Sequence, residues 1–159
     1  MSRLNIRYAM VLILLFAGAV WAADYAFDGG FSRDRFIRVG PDDAGMVVLD
    51  VADVPAGEGR FYRFLNYGNQ EVKFFVARDL LGKIHVAFDA SENHYKTKRG
   101  FTVQNGWVVD NKCDTTSRIE HIGLDDKVRC RPVAIPHQIE GNMVVLKEDD
   151  ILRGWRYFR

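Results

Sequence analysis

The segment Glu71-Val-Lys-Phe-Phe-Val-Ala77, followed after a short turn by Lys83-Ile-His-Val-Ala-Phe88, decides the fold of this chain. Apolar side chains alternate with other residues along both runs, most clearly in the second. A period of two is typical of β-strands that bury one face. Leu81-Gly82 between the runs is a turn signal. The stretch therefore predicts two neighbouring strands.

Similar β patterns extend in both directions from this hairpin, and Asn105-Gly106 adds a strong hairpin signal because both residues tolerate positive φ. Glu148 begins a run that predicts one helical turn. The chain is therefore predicted to be mostly β, or a small α+β fold, with one compact domain of β-hairpins. The other predicted strands are Phe36–Val39, Met46–Val51, Arg60–Leu65, Phe101–Gln104, Trp107–Val109, His137–Glu140 and Met143–Leu146.

Composition limits the class of protein. The chain has 159 residues, 48% of them hydrophobic and 27% charged, which are ordinary values for one globular domain. It contains two cysteines, too few for a disulfide-rich scaffold or a four-cysteine zinc site. No glycine-rich phosphate loop, GxSxG elbow or HExxH helix is present.

The N-terminus has the layout of a secretory signal peptide, with Arg3 and Arg7 before an apolar run from Tyr8 to Ala23. This run of 16 residues would form a helix of about 24 Å, shorter than the ~30 Å hydrocarbon core of a bilayer. The length favours cleavage before Ala23 over the alternative, an uncleaved inner-membrane anchor formed by residues 8–23. In both cases the remaining chain is expected to be periplasmic or secreted.

Removal of residues 1–22 leaves 20 basic and 21 acidic side chains, so the net charge changes from +1 to −1. Nucleic acid is not an expected partner, because the chain offers no positive field to attract phosphates. Membrane contact is expected only through the N-terminal segment, if it is uncleaved. Residues 23–44 predict an extended leader, and residues 45–159 predict the β domain.

Three blocks of sequence carry a resemblance to a known family. They are Gly82-Lys-Ile-His-Val-Ala-Phe-Asp-Ala-Ser-Glu-Asn-His-Tyr95, Val109-Asp-Asn-Lys-Cys113 and Cys130-Arg-Pro132. In this order and spacing they resemble the FtrD-like family of membrane iron–sulfur proteins, over roughly residues 46–151. The resemblance implies a role in bacterial ferrous-iron uptake, in which such a protein would pass electrons or handle metal beside a permease. Membrane iron-transport components are the implied partners.

The thiol positions of that family are only partly kept here. The chain has Ser91 and His94 at the first Cys-x-x-Cys, Asp110 and Cys113 at the second, and Cys130 at the last position. An iron–sulfur cluster normally needs four thiolates, or two thiolates and two imidazoles. With only two cysteines present, a full cluster is not expected.

The family template suggests that the retained donors converge, and it leaves several interpretations open. One is a site for a single transition-metal ion (Zn, Cu or Fe), because these metals accept mixed nitrogen, sulfur and oxygen ligands. The candidate ligands are His94, Asp110, Cys113 and Cys130, with His121 or His137 as substitutes for Asp110.

A structural Cys113–Cys130 disulfide is the second interpretation, since the expected compartment is oxidising. A redox-active pair is the third, with Lys112 and Arg129 as the neighbouring charges that could lower a thiol pKa.

These three interpretations of the donor residues lead to two main functional hypotheses. The first is an exported accessory domain for iron uptake or electron handling at the bacterial envelope. The alternative is a non-catalytic structural or interaction domain held by the disulfide. A hydrolase using Ser91 and His94 is a weaker third hypothesis, because the sequence lacks a nucleophile elbow. No catalytic residue is assigned.

Overall fold

A computed structural model describes residues 10, 13–20, 22, 35–93, 95–124 and 130–159. The chain divides into two units, Met1–Arg35 and Phe36–Arg159. In the first unit residues 13–20 are helical. Within the described ranges, no helix combines the length and the apolar character that crossing a bilayer requires. Most of the predicted signal segment and leader, including residues 23–34, lies outside the described residues.

The second unit is built from short strands, and the prediction of a mostly-β fold is confirmed. Its one α-helix among the described residues, α1, spans Glu148–Leu152, and short 3-10 helices span Tyr95–Thr97, Ile119–His121 and Trp155–Tyr157. The strands are β1 (Phe36–Val39), β2 (Met46–Asp50), β3 (Gly59–Leu65), β4 (Glu71–Arg78), β5 (Ile84–Ser91), β6 (Phe101–Gln104), β7 (Trp107–Asp110), β8 (Thr116–Arg118), β9 (Pro132–Ala134), β10 (Gln138–Glu140) and β11 (Met143–Lys147).

A five-stranded sheet in the order β1-β3-β4-β5-β9 forms the centre of this unit. Its pairs are antiparallel except β1–β3, which is parallel. Successive side chains of a strand point to opposite faces of a sheet. In β4, Phe74 and Val76 accordingly belong to one buried cluster, whereas Phe75 and Ala77 belong to another. The central sheet is therefore buried on both faces, which explains its nearly continuous apolar sequence.

Two smaller sheets contribute to these two clusters. The β10-β11-β2 sheet supplies Val47, Leu49, Val144 and Leu146 to the larger cluster, which also contains Ile151 of α1. The β6-β7-β8 sheet supplies apolar side chains to the other cluster, on the opposite face. The central sheet thus packs against the β10-β11-β2 sheet with one face and against the β6-β7-β8 sheet with the other.

The turns follow the sequence signals. Asn105 and Gly106 both have positive φ, 53° and 83°, and join β6 to β7 as a two-residue hairpin loop. Gly141, with φ of 61°, starts the equivalent loop between β10 and β11, where glycine relieves the steric cost of positive φ.

A buried acid fixes the β4–β5 turn. Asp79 is 2% exposed, and its Oδ1 accepts hydrogen bonds from the backbone N–H groups of Leu81 and Lys83, both at 2.9 Å. Its Oδ2 accepts a hydrogen bond from Nε2 of His85 at 2.9 Å. Burial alone would raise the pKa of Asp79, but the bonds from His85, Lys83 and Leu81 outweigh burial and lower it.

The lowered pKa of Asp79 predicts a specific acid sensitivity. A carboxylate with a depressed folded-state pKa contributes stability above its ordinary value, 3.8 here, and that contribution is lost as the pH falls through the folded pKa. We expect Asp79→Asn to be less stable than the wild type at pH 7 and to lose less stability between pH 5 and 3. Urea unfolding at these pH values measures the difference, and equal losses in both proteins would contradict the prediction.

Candidate functional site

The candidate site lies at the carboxyl end of β5, where Ser91 occupies the first cysteine position of the family pattern. Ser91, the last residue of β5, pairs with Pro132 of β9 and is 3% exposed. Cys130 stands two residues before Pro132, so this pairing brings Cys130 to the end of β5. The backbone of Cys130 has a φ of 67°, an uncommon conformation for a residue other than glycine.

A second buried acid ties the β6–β7 hairpin to the same end of β5. Oδ1 of Asp89 accepts a hydrogen bond of 2.7 Å from the N–H of Phe101, and Phe101 pairs with Asp110 at the far end of the hairpin. Gly100 permits this approach, since a Cβ there would lie 2.5 Å from both Asp89 carboxylate oxygens. Its φ of 62° also favours glycine. Asp89 and Gly100 together place Asp110 beside the end of β5.

Asp110 organises the loop that carries Cys113. Its Oδ1 accepts hydrogen bonds from the N–H groups of Lys112 at 2.7 Å and Cys113 at 3.1 Å, and its backbone carbonyl accepts one from Asp114 at 2.9 Å. This arrangement is an Asx turn. Asp110 is 3% exposed, and both of these side-chain hydrogen bonds end on Oδ1. Oδ2 is therefore the oxygen that would act as the ligand atom.

Three donor groups meet at this point. One ligand atom each of Asp110, Cys113 and Cys130 lies within 4.8 Å of the others. The sulfur atoms of the two cysteines lie at disulfide-bonding distance, and neither cysteine is free. The expected disulfide pairing therefore agrees with the structure. Sulfur atoms this close cannot both bind one metal ion, so a metal role for the three groups requires a reduced pair. That role stays a prediction.

A family model described as membrane iron-sulfur containing protein FtrD-like matches residues 42–158. The chain belongs to the FtrD-like family. The resemblance found in the sequence is thereby confirmed, over a slightly longer range than its motifs indicated. No curated protein and no solved structure matches the chain.

The structure brings together some of the predicted ligands of this FtrD-like chain. His94 lies outside the described residues, so its role as a ligand stays a prediction. Among the residues that are described, neither His121 nor His137 joins the three-donor group. His137 instead uses its Nδ1 in a 2.9 Å hydrogen bond to the carbonyl of Ile135. Neither substitute for Asp110 is therefore supported.

An iron–sulfur cluster, which the family description implies, does not fit the donors of this chain. The whole sequence contains two cysteines, and both already belong to the three-donor group. A cluster held within one chain needs four thiolates, or two thiolates with two imidazoles. The described residues of the group supply two sulfurs and one carboxylate oxygen. This donor set suits a single ion.

The sequence patterns do not predict the residues that position the donors. They predict Asp110 as a ligand, whereas the structure shows that it also caps the turn before Cys113. They assign no role to Asp89 or Gly100. An acid inside the apolar β5 run was a signal for Asp89, because a buried carboxylate requires hydrogen-bond partners.

Proposed function

We propose that this FtrD-like protein is an exported accessory domain that handles a transition-metal ion at the bacterial envelope, beside membrane components of iron uptake. Its periplasmic location and its partners belong to the same proposal, which the family membership and the signal-like N-terminus support. The observation that carries it is the convergence of Asp110, Cys113 and Cys130 within 4.8 Å. In this function the chain binds one ion and holds no iron–sulfur cluster.

Metal binding and the disulfide exclude each other at this site. Metals bind cysteine as the thiolate, so both sulfurs must be reduced before they can act as ligands. Reduction requires an external dithiol. The dithiol is oxidised to a disulfide, and Cys113 and Cys130 are reduced to thiols. Asp110 then adds a hard oxygen ligand, and His94 is the proposed fourth donor. Zinc, copper and iron all accept such mixed donor sets.

The alternative function, a structural domain closed by a permanent disulfide, is favoured by one observation. Cys113 and Cys130 are at bonding distance and neither is free. The two functions differ in what happens after reduction. A structural disulfide protein only loses stability, whereas a metal-binding protein gains an ion.

Substitution of Asp110 tests the metal site directly. Asp110→Asn keeps an oxygen that can accept the Lys112 and Cys113 hydrogen bonds but removes the negative charge. We expect the reduced variant to keep its fold and to bind Zn²⁺ or Co²⁺ at least about tenfold more weakly than the reduced wild type. Anaerobic titration followed by metal analysis measures the affinity and the stoichiometry.

Asp114→Asn is a matched control, because Asp114 is exposed on the same loop and lies outside the three-donor group. Its positive φ of 53° is one that asparagine tolerates. The control should bind metal as the wild type does. Failure of the reduced wild type to bind any of Zn²⁺, Co²⁺, Cu⁺ or Fe²⁺ would refute the proposed function and leave the structural alternative.

A further inference from the structure

A second site of a different chemical character lies at the C-terminal end of the chain. A cavity of about 570 Å³ is lined by Glu92, Tyr95, Lys96, Arg156, Tyr157 and Arg159. This volume is in the range of small-molecule sites. The lining residues come from two short segments, the loop after β5 and the 3-10 turn after α1. Nothing in the family description concerns this cavity.

The walls of the cavity carry an excess of positive charge. Lys96, Arg156 and Arg159 face one acid, Glu92. Arg156 lies 3.5 Å from that acid, and within the described residues Lys96 and Arg159 form no ion pair. The three cations and one acid leave an excess of two positive charges among the lining side chains. Unpaired cations in a concave site favour an anionic ligand.

Arg156, whose side chain is 63% exposed, contacts two neighbouring side chains. The guanidinium of Arg156 donates a 2.6 Å hydrogen bond to the hydroxyl of Tyr157 and lies 4.8 Å from the centre of the same ring. That hydroxyl lies 3.4 Å from Oε1 of Glu92, to which it donates a hydrogen bond. Preorganisation of this kind lowers the entropy that a ligand loses when it binds.

Aromatic packing makes the floor of the cavity rigid. Tyr157 is 4% exposed, and its ring centre lies 5.9 Å from that of Phe88 and 5.5 Å from that of Tyr95. Lys96 and Arg159 are exposed, so both can turn toward a bound molecule. The cavity thus combines a packed aromatic floor with three exposed cations, of which Arg156 also contacts Tyr157 and Glu92.

We propose that this cavity binds a small organic oxyanion with two or more acidic groups, such as a polycarboxylate or a phosphorylated compound. Arg156 would bind one carboxylate or phosphate through its planar guanidinium, which matches the geometry of both. Lys96 and Arg159 would pair with a second acidic group. None of the three donor residues lines the cavity, and its lining residue Tyr95 directly follows His94, the proposed fourth donor.

Calorimetric titration with citrate and with inorganic phosphate, at constant ionic strength, tests this assignment. We expect the wild type to bind citrate more tightly than phosphate, since only citrate can contact all three cations at once. Lys96→Gln and Arg159→Gln should each weaken citrate binding about tenfold or more. Unchanged thermal unfolding of both variants will show that they remain folded, since both side chains are exposed.

Arg153→Gln is the matched control. Its side chain is 73% exposed, it lies near the same C-terminal segment, and it does not line the cavity. It should leave the citrate affinity unchanged. Three results would each overturn the proposal: no citrate binding up to about 10 mM, an equal loss in Arg153→Gln, or binding only to phosphatidylglycerol vesicles. Metal titration of the same samples separates failure of this site from failure of the metal site.

Discussion

Replacement of Phe74 by alanine is expected to lower the free energy of unfolding by about 3–5 kcal/mol. Phe74 has no exposed surface and belongs to the larger buried cluster. It lies on β4 in the middle of the central sheet, and its ring stacks on Tyr62 with 5.4 Å between ring centres. Because protein interiors are close-packed, we expect its neighbours to fill only part of the space that the ring leaves. The variant therefore loses both apolar burial and packing contacts.

Urea unfolding at neutral pH measures the effect of Phe74→Ala. A small domain has a total stability of about 5–15 kcal/mol, so a loss of about 3–5 kcal/mol is a large part of it and is readily measured. Tyr67→Ala is the matched control, because Tyr67 is also aromatic but is 90% exposed in the β3–β4 turn. It should change stability by less than about 0.5 kcal/mol. A loss below 1 kcal/mol for Phe74→Ala would contradict the packing that the structure shows.

Loss of the Cys113–Cys130 bond is expected to have the second largest effect. The two cysteines are 17 positions apart, and closing a loop of this length stabilises the folded state by about 3 kcal/mol in the chain-entropy estimate. Cys130→Ser should therefore lower the free energy of unfolding by about that amount under oxidising conditions. Serine is close in size to cysteine, so little of this loss should come from altered packing.

Reductant gives the control for this experiment. A dithiol should destabilise the wild type by the same amount as Cys130→Ser and should leave the variant unchanged. Adding Zn²⁺ to the reduced wild type should then restore stability by mass action, because the ion binds the folded state. A wild type whose unfolding is insensitive to reductant would contradict the bond, and absence of any zinc effect would count against the metal site.

Local sequence patterns predicted most strands because the responsible forces act over a few residues. The run Lys83–Phe88 contributes to β5, which is buried on both faces rather than one, and Asn105-Gly106 joins β6 to β7 as predicted. The strands that were missed lack such patterns. Thr116–Arg118 is polar and becomes β8 because it pairs with β7. Pro132–Ala134 begins with proline, which is tolerated in a sheet at the first residue of an edge strand.

The three-sheet arrangement and the candidate site depend on contacts between distant parts of the chain. The parallel pairing of β1 with β3 could not be read from Phe36–Val39 itself. Asp110 and Cys113 were predicted through the family pattern, and their approach to Cys130 requires the β5–β9 pairing and the bond from Phe101 to Asp89. Neither interaction leaves a periodic signal in the sequence. The position of His94 stays a prediction.

The three donors belong to two different parts of the fold: Asp110 and Cys113 share one turn, whereas Cys130 directly precedes the short strand β9. Asp110 and Cys113 share one Asx turn, so their separation is fixed by bonds over three residues. Among the described residues, Cys130 is followed by β9, a strand of three residues whose pairing with β5 shifts register between Ala87 and Ser91. Detachment of β9 would thus separate one sulfur from the other two donors and leave the β3–β4–β5 meander intact. The disulfide links Cys130 covalently to the turn that carries Asp110 and Cys113. In the proposed metal-bound state, the ion would make the same link reversibly.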